Sequence, residues 1–249
     1  MPHDPAVRLA ELIAGADSVV ALTGAGISVP SGIPDFRSAG SGLWENVNPM
    51  EVAHIDAWRE NPARFWEFYG QRFGLLVDKQ PNGAHLALAR LEELGLLDAV
   101  LTQNIDLLHQ KAGTPDPVEL HGSIRTSSCL SCGNQESLGH VMALLGDSAD
   151  GVPRCSCGEP FKPDVVLFGE MLPEQAISRA FDLASRADLL ICVGTSLEVF
   201  PVAALPDETA RGGGQVALVT QGPTAWDDRA VIKLDGDVED DLAAVLAGF

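Results

Sequence analysis

The stretch SVVALTGAGISVPSGIPDFR, residues 18–37, joins an apolar run to a glycine-rich turn. The run 18–23 has the length and the β-branched content of a buried strand. Gly24 and Gly26 follow at once, and glycines at the end of a strand let the backbone turn tightly and approach a phosphate group. Val29 stands where the usual dinucleotide-binding pattern has a third glycine, and the prolines that follow exclude a regular α-helix. The stretch predicts a strand that leads into an unusual nucleotide-binding loop.

The end of this loop carries three side chains of complementary chemistry. Asp35, Phe36 and Arg37 offer an acid, an aromatic face and a planar cation, on a chain that Pro30 and Pro34 stiffen. Such a set suits the binding of a sugar and an attached ring. An ordinary surface loop is the alternative interpretation of the same residues.

Further apolar runs alternate with helical stretches along the rest of the chain. This alternation predicts an α/β fold with a parallel, doubly wound sheet, because parallel strands need crossover helices that cover both faces. The runs lie at residues 98–103, 117–122, 164–169, 188–194, 215–220 and 230–234.

Two segments between these runs are too long to be ordinary loops. The first is helical by pattern, with helix starts predicted at Asn61-Pro62 and at Asn82, and the second contains a cluster of cysteines. We therefore expect two insertions that form a smaller lobe of a helical module and a cysteine module. The predicted division gives a Rossmann-like domain of residues 1–36, 86–125 and 164–249, and a small lobe of residues 37–85 and 126–163.

Composition narrows the class of protein. The chain has 249 residues, 46% of them apolar and 20% charged, and no run approaches 18 consecutive apolar positions, so we expect a globular protein that does not enter a membrane. The formal charge of −19 argues against direct binding of nucleic acid. The N-terminal segment is typical of an amphipathic helix rather than a signal peptide, which predicts a cytoplasmic protein.

Polar residues follow the second and third runs at the point where each ends. Gln103, Asn104 and Asp106 follow one strand, and His121 follows the next. The carboxyl ends of neighbouring parallel strands meet in one crevice, where α/β proteins bind their ligands. An imidazole at that edge suits general-base work near neutral pH. The other histidines, among them His85 and His109, are interpreted as surface or structural groups.

Four of the five cysteines form two close pairs. Cys129 and Cys132 are separated by two residues, Cys155 and Cys157 by one. Paired thiolates of this kind supply the four ligands of a tetrahedral zinc, and four sulfur ligands leave no position for a reacting water. The pattern predicts one structural zinc ion. Cys192, inside an apolar run, is expected in the core.

Taken together, these motifs resemble those of the sirtuins, a family of NAD-dependent protein lysine deacylases. The resemblance covers residues from about 18 to 220 in matching order and spacing. The motifs that carry it are GAGISVPSGIPDFRS, TQNIDLLH, ELHGS, the cysteine quartet, KPDVVLFGE and GTSLEVFP.

The resemblance implies a set of site residues. His121 would be the general base, with Asn104 and Asp106 as its catalytic neighbours. NAD would be held by these three and by Gly24, Ala25, Gly26, Pro34, Asp35, Phe36, Arg37, Gln103, Gly194, Thr195, Ser196 and Val238. The acyl-lysine partner would add as a strand between two segments, with Val166, Phe168, Gly169, Glu198 and Val199 in contact. An asparagine usual in the family after the sixth strand is absent, since Thr220 and Gln221 stand there.

The acyl group itself is left open by the sequence. Tyr69 and Arg72 are three positions apart on a predicted helix and share one face. The sirtuins that remove succinyl and other acidic acyl groups carry a similar Tyr-x-x-Arg pair. A packed tyrosine with a solvated arginine is the alternative, and the protein would then be a simple deacetylase.

Other functions share parts of this pattern. A hydride-transferring dehydrogenase would share the sheet and the glycines, but the missing third glycine and the cysteine module argue against it. Transfer of ADP-ribose to protein would use the same NAD chemistry. A non-catalytic reader of acyl-lysine or ADP-ribose would more plausibly have lost His121 or Asn104, and both are present.

Overall fold

The computed structural model describes residues 4–35 and 48–249. The strands are β1 Val19–Thr23, β2 Ala99–Thr102, β3 Val118–Glu119, β4 Gly122–Cys129, β5 Gln135–Ser137, β6 Phe161–Val165, β7 Leu189–Val193, β8 Gln215–Val219 and β9 Ile232–Leu234. The helices are α1 Pro5–Gly15, α2 Pro49–Val52, α3 Ile55–Glu60, α4 Pro62–Asp78, α5 Gly83–Glu93, α6 Leu108–Ala112, α7 Leu138–Asp147, α8 Glu174–Arg186, α9 Leu205–Gly212 and α10 Val238–Leu246. In this part of the chain, no helix is both long enough and apolar enough to cross a membrane.

The main sheet has six strands in the order β3-β2-β1-β7-β8-β9, and every neighbouring pair is parallel. Alternate residues of β7 enter two different apolar clusters: Leu189 and Ile191 pack on the face covered by α1, α5 and α10, whereas Leu190 and Cys192 pack on the face covered by α8 and α9. Because both faces are covered, the central strands β1, β2, β7 and β8 are almost entirely apolar. The predicted doubly wound α/β fold and the buried position of Cys192 are confirmed.

Helix starts follow the local sequence signals. The side chain of Asp4 accepts a hydrogen bond from the N–H of Ala6 at the start of α1. Asn61 accepts one from Arg64 at the start of α4, and Asn82 caps α5. Each side chain satisfies an N–H that has no partner within its helix, as the sequence predicts at all three positions.

A second, smaller sheet has the order β5-β4-β6 and is antiparallel. It packs on α3, α4 and α7 around a third apolar cluster that is rich in aromatic residues, with Trp66 and Phe161 at its centre. The indole N–H of Trp66 donates to the carbonyl of Phe161 at 3.1 Å, which ties α4 to β6.

The prediction that run 164–169 adds a strand to the parallel sheet is wrong. The strand in this region is β6, which begins at Phe161, ends at Val165 and pairs with β4 in the smaller sheet. An apolar run indicates that a strand is buried but carries no information on its partner. Gly122, at φ 71°, turns the chain at the start of β4, which pairs with β6. The remainder of the predicted run, residues 166–169, takes part in one isolated β-bridge, between His54 and Phe168.

The predicted division into two lobes stays a prediction. Its boundaries at 125/126 and 163/164 fall inside β4 and β6. We propose that the whole of both strands belongs to the smaller unit, since Ile124 and Val165 are part of its apolar cluster.

Candidate active site

The carboxyl ends of β1 and β7 lie side by side and carry the glycine loops. The N–H of Gly26 donates to the carbonyl of Gly194 at 2.8 Å. A Cβ at Gly24 would lie 2.8 Å from the Gly194 carbonyl oxygen, and one at Gly26 would lie 2.8 Å from the Gly194 Cα. Gly194 itself adopts φ 59°. The glycines are therefore required by the close packing of the two loops, which is a reason that the sequence did not reveal.

After Gly24 the chain forms a 3-10 helix, Ala25–Ser31, with Pro30 inside it. The prediction that no regular α-helix follows β1 is confirmed. Within the described ranges, the backbone N–H groups of Ala25 and Thr195 have no hydrogen-bond acceptor. Open N–H groups at the ends of two adjacent strands are suited to the oxygens of a pyrophosphate.

A buried polar network lies under these loops. The hydroxyl of Ser28 donates to Asp106 Oδ2 at 2.7 Å and accepts a hydrogen bond from Asn104 Nδ2 at 3.1 Å. The same Asn104 amide donates to the carbonyl of Gly24 at 3.0 Å. Gln103 Nε2 donates to Thr195 Oγ1 at 2.9 Å. The predicted crevice residues are thus brought together and bonded to both glycine loops.

Asp106 is held in place although it is only 6% exposed. Burial raises the pKa of this carboxyl, while hydrogen bonds from the N–H of Leu108 and from Ser28 act in the opposite direction. Leu107, at φ 66°, turns the chain between Asp106 and helix α6. A non-glycine residue in this conformation is strained, and strain of this kind clusters at functional sites.

His121 lies between β3 and β4, at the same edge. Its Nδ1 is 3.1 Å from the carbonyl oxygen of Gln103. A carbonyl can only accept, so Nδ1 carries the proton of the neutral ring and Nε2 has the free lone pair. Burial lowers the pKa of His121. The ring is therefore neutral at pH 7, with Nε2 as the basic atom.

Two buried histidines support this network and were not predicted as site residues. His85 Nε2 is 3.5 Å from Ser28 Oγ, and His109 Nε2 is 2.9 Å from Thr23 Oγ1. Their rings pack with centroids 4.9 Å apart. Burial lowers the pKa of His85 to about 4 and that of His109 to about 3, so both are neutral. Both histidines are therefore structural groups, one of the two interpretations that the sequence left open, and no local pattern predicted their contacts with Ser28 and Thr23.

The remaining predicted cofactor residues have varied positions. Pro34 and Asp35 end the first described segment, whereas Phe36 and Arg37 lie outside the described residues. Ser196 follows the β7 loop. Val238 is the first residue of α10, after its capping residue Asp237.

The predicted substrate edge runs from Val166 to Gly169. The Val166 N–H donates to the carbonyl of His121 at 2.8 Å, which places this edge beside the imidazole. Phe168 is already paired through its backbone with Ala53 and Ile55. Gly169, at φ 85°, has no backbone hydrogen bond to any described residue. Glu198 and Val199 belong to the loop after β7.

Tyr69 and Arg72 lie on α4, as predicted. Tyr69 stacks on Phe73 with ring centroids 5.4 Å apart. The Arg72 guanidinium lies over the Phe68 ring, 3.9 Å from its centroid, and Nη1 donates to the Phe68 carbonyl. Both side chains therefore pack against aromatic residues of α4, and the Arg72 guanidinium is bonded within its own helix.

The four clustered cysteines converge. All four Sγ atoms lie within 4.8 Å of one another, with 3.5 Å between Cys129 and Cys157 and 3.6 Å between Cys132 and Cys155. Tetrahedral zinc with Zn–S bonds of about 2.3 Å requires sulfur atoms about 3.8 Å apart. The donor set fits zinc, and the shorter second pair does not prevent convergence.

Comparison with known proteins shows which family has this arrangement of site residues. The model of the Sir2 family matches residues 24–201, which include both glycine loops, His121 and the four cysteines. The chain belongs to the Sir2 family. Sir2-family relatives include an NAD-dependent protein deacetylase of Sulfolobus acidocaldarius, 41% identical over 98% of this chain and 95% of the relative. An NAD-dependent protein deacylase of Thermococcus sibiricus is 46% identical over 82% of this chain and 81% of that protein.

Solved Sir2 structures share the architecture. A Sir2 structure with a p53 peptide and NAD+ superposes with a TM-score of 0.89 at 41% identity, covering 96% of both chains. A second, with a propionylated peptide, gives a TM-score of 0.88 at 40% identity and the same coverage. The structural similarity to Sir2 proteins therefore extends over nearly the whole chain, including the smaller unit.

Proposed function

We propose that this protein is an NAD-dependent protein lysine deacetylase that releases nicotinamide and O-acetyl-ADP-ribose. The observation that carries the proposal is the fixed imidazole of His121, whose Nδ1 lies 3.1 Å from the Gln103 carbonyl at the edge where the glycine loops meet. Sir2-family membership supplies the reaction class, and transfer of the acyl group to ADP-ribose makes the enzyme a transferase.

NAD, when bound, supplies a ribose whose bond to nicotinamide can be broken in favour of an acyl oxygen. The open N–H groups of Ala25 and Thr195 support a pyrophosphate position between the loops of β1 and β7. We assign the other cofactor contacts to Gly24, Gly26, Pro34, Asp35, Phe36, Arg37, Gln103, Asn104, Asp106, Gly194, Ser196 and Val238.

His121 acts in this proposal as the general base. Its Nε2 accepts the proton of a ribose hydroxyl, while the bond from Nδ1 to Gln103 holds the ring and fixes the tautomer. Because the half-buried ring is neutral, it is ready to accept a proton without first losing one. Asn104 and Asp106 do not transfer this proton; through Ser28 they keep the pocket floor in one arrangement.

The substrate binds as an added strand in this proposal. The backbone of Gly169, which bonds to no described residue, supports addition of an extended peptide, with the loop at Glu198 and Val199 on its other side. Backbone pairing gives affinity that is independent of side chains, so a range of acyl-lysine proteins would be accepted. The charge of −19 favours basic peptides over nucleic acid.

The cysteine cluster would hold one zinc ion with a structural role, since four thiols leave no position for substrate. A zinc site of four cysteines needs reduced thiols, and the five cysteines form no disulfide. We therefore place the protein in the cytoplasm.

The function is tested by incubating the enzyme with acetyl-lysine peptide, with and without NAD, while nicotinamide and peptide mass are followed together. We expect loss of one acetyl mass for each nicotinamide released, and no reaction without NAD. A peptide that gains the mass of ADP-ribose would identify an ADP-ribosyltransferase. Peptide binding without nicotinamide release would identify a reader, and deacetylation without NAD would overturn the proposal.

A further inference from the structure

A buried lysine is bonded to both ends of the segment that carries the predicted substrate edge, residues 166–169. Lys162, in β6, is only 6% exposed, and its ammonium makes three polar contacts. Nζ donates to the carbonyl of Pro163 at 3.1 Å and to that of Val165 at 2.8 Å, and lies 2.8 Å from Glu170 Oε2. An ammonium has three donors, so all three are used.

The carboxylate of this pair is bonded to the same segment. Glu170 Oε2 also accepts the N–H of Leu167 at 2.9 Å, and the N–H of Glu170 donates to the carbonyl of Leu167 at 3.0 Å. The pair therefore joins the last residues of β6 to the residue that follows Gly169. Between these points, the N–H groups of Val166, Leu167 and Phe168 are bonded within the protein. Gly169, which has no backbone hydrogen bond to a described residue, is where the proposed substrate strand would add.

An ion pair between a buried lysine and a half-buried carboxylate is a costly way to obtain stability alone. Taking two charges out of water is unfavourable for each ion, and apolar replacements of such pairs are often neutral or stabilising. An ion pair that closes a short loop can fix backbone carbonyls and N–H groups in defined directions through charge-assisted hydrogen bonds. An apolar contact has no such directionality. Fixed backbone is what an added strand requires.

We infer that Lys162 and Glu170 are positioning residues that hold the Val166–Gly169 edge ready for the peptide backbone. The inference rests on the proposed function and adds to it a device for substrate affinity. Neither side chain would touch the acyl group or the cofactor. Their loss would therefore weaken peptide binding and leave NAD binding in place.

The test measures peptide affinity, NAD affinity and thermal stability in four variants. Lys162→Met removes the ammonium, and Glu170→Gln keeps the shape of the carboxylate but not its charge. The double variant removes both charges, so no unpaired charge remains buried. Lys233→Met is the matched control, since Lys233 also bonds a carbonyl and a carboxylate, those of Gly222 and Asp227, but at β9.

For Lys162→Met we expect the Kd of an acetyl-lysine peptide, measured by calorimetry, to rise about ten-fold or more, with the Kd of NAD within about two-fold of wild type. In the double variant we expect stability to recover relative to Glu170→Gln while peptide affinity stays low. Lys233→Met should keep wild-type peptide affinity.

Two results would overturn the inference alone: unchanged peptide affinity in Lys162→Met, or affinity that recovers with stability in the double variant, which would show a merely structural pair. If Lys162→Met fails to fold, Glu170→Gln and the double variant decide the question. A wild-type protein that neither binds nor deacetylates the peptide would remove the proposed function, and the inference with it.

Discussion

The parallel sheet and the cysteine cluster hold their polar groups in different ways. At the sheet edge, Ser28 and Asn104 are fixed by buried hydrogen bonds that rest on two apolar clusters. In the smaller unit, four thiols beside a three-stranded antiparallel sheet lie within 4.8 Å of one another, where one metal ion can hold them. One region is organised by packing, and the other by packing and coordination.

The difference shows what each region can do. A site set by packed loops can tolerate the entry and exit of a ligand, because the surrounding sheet keeps its shape. A site in which all four ligands hold one ion has no free position and serves only to join chain segments. In the proposed function, chemistry therefore belongs to the sheet edge, and the cysteine cluster contributes stability.

Removal of the metal should give the largest effect. Structural zinc contributes roughly 10 kcal/mol or more to folding. In Cys129→Ala and Cys157→Ala we expect loss of the bound zinc and unfolding of the smaller unit at lower temperature, measured by metal analysis and calorimetry. Cys192→Ala, at the buried fifth cysteine, is the control and should retain its zinc. Full zinc occupancy in Cys157→Ala would show that the second cysteine pair is not a ligand pair.

This contrast between the two regions would not hold if the smaller unit, which contains Tyr69 and Arg72, also selected the acyl group. A bond from the Arg72 guanidinium to a succinyl carboxylate contributes roughly 1.5 to 3 kcal/mol, or about 10- to 150-fold in rate. To form it, the guanidinium must leave the Phe68 ring that it now covers. If the pair faces the acyl group, Arg72→Met should lose desuccinylation by this factor and keep deacetylation.

The control for this experiment is Arg64→Met, on the same helix, where the arginine is paired with Glu51. It should change neither activity. Equal loss of both activities in Arg72→Met, or no desuccinylation by the wild type, would return Tyr69 and Arg72 to a packing role.

Acid should weaken the sheet region through its two buried histidines. Burial lowers the pKa of His85 from 6.5 to about 4, so the folded state excludes a proton that the unfolded state binds below pH 6.5. The free energy of unfolding should therefore fall as the pH drops from about 6.5 to about 4, by about 1.4 kcal/mol per pH unit for each of the two histidines. Asp106, whose pKa is raised, acts with the opposite sign and offsets part of this loss.

Denaturant unfolding across this pH range checks the prediction. His85→Gln should reduce the pH dependence by about one proton. His140→Gln, at an exposed position of α7, should leave the slope unchanged. An identical slope in His85→Gln would show that this histidine is not the source of the acid sensitivity.

Local sequence signals predicted most of the strands, helix starts and site residues. The features that were not predicted depend on pairing between segments that are distant in the sequence. The apolar run of β1, the caps Asn61 and Asn82, and the cysteine spacing act within a few residues and could be read from the chain. The antiparallel partner of β6 depends on where β4 arrives, and no local pattern reports that. The imidazoles of His85 and His109 likewise gain their role only when the helices α5 and α6 fold against Ser28 and Thr23.

The central claim is that a neutral His121 at the sheet edge removes the ribose proton. The direct measurement is to assay NAD binding and deacetylation separately in His121→Ala. We expect NAD affinity close to wild type and a rate lower by about 10² to 10⁴, whereas Asn104→Ala should lose both affinity and rate. Deacetylation by His121→Ala at nearly the wild-type rate would contradict this claim.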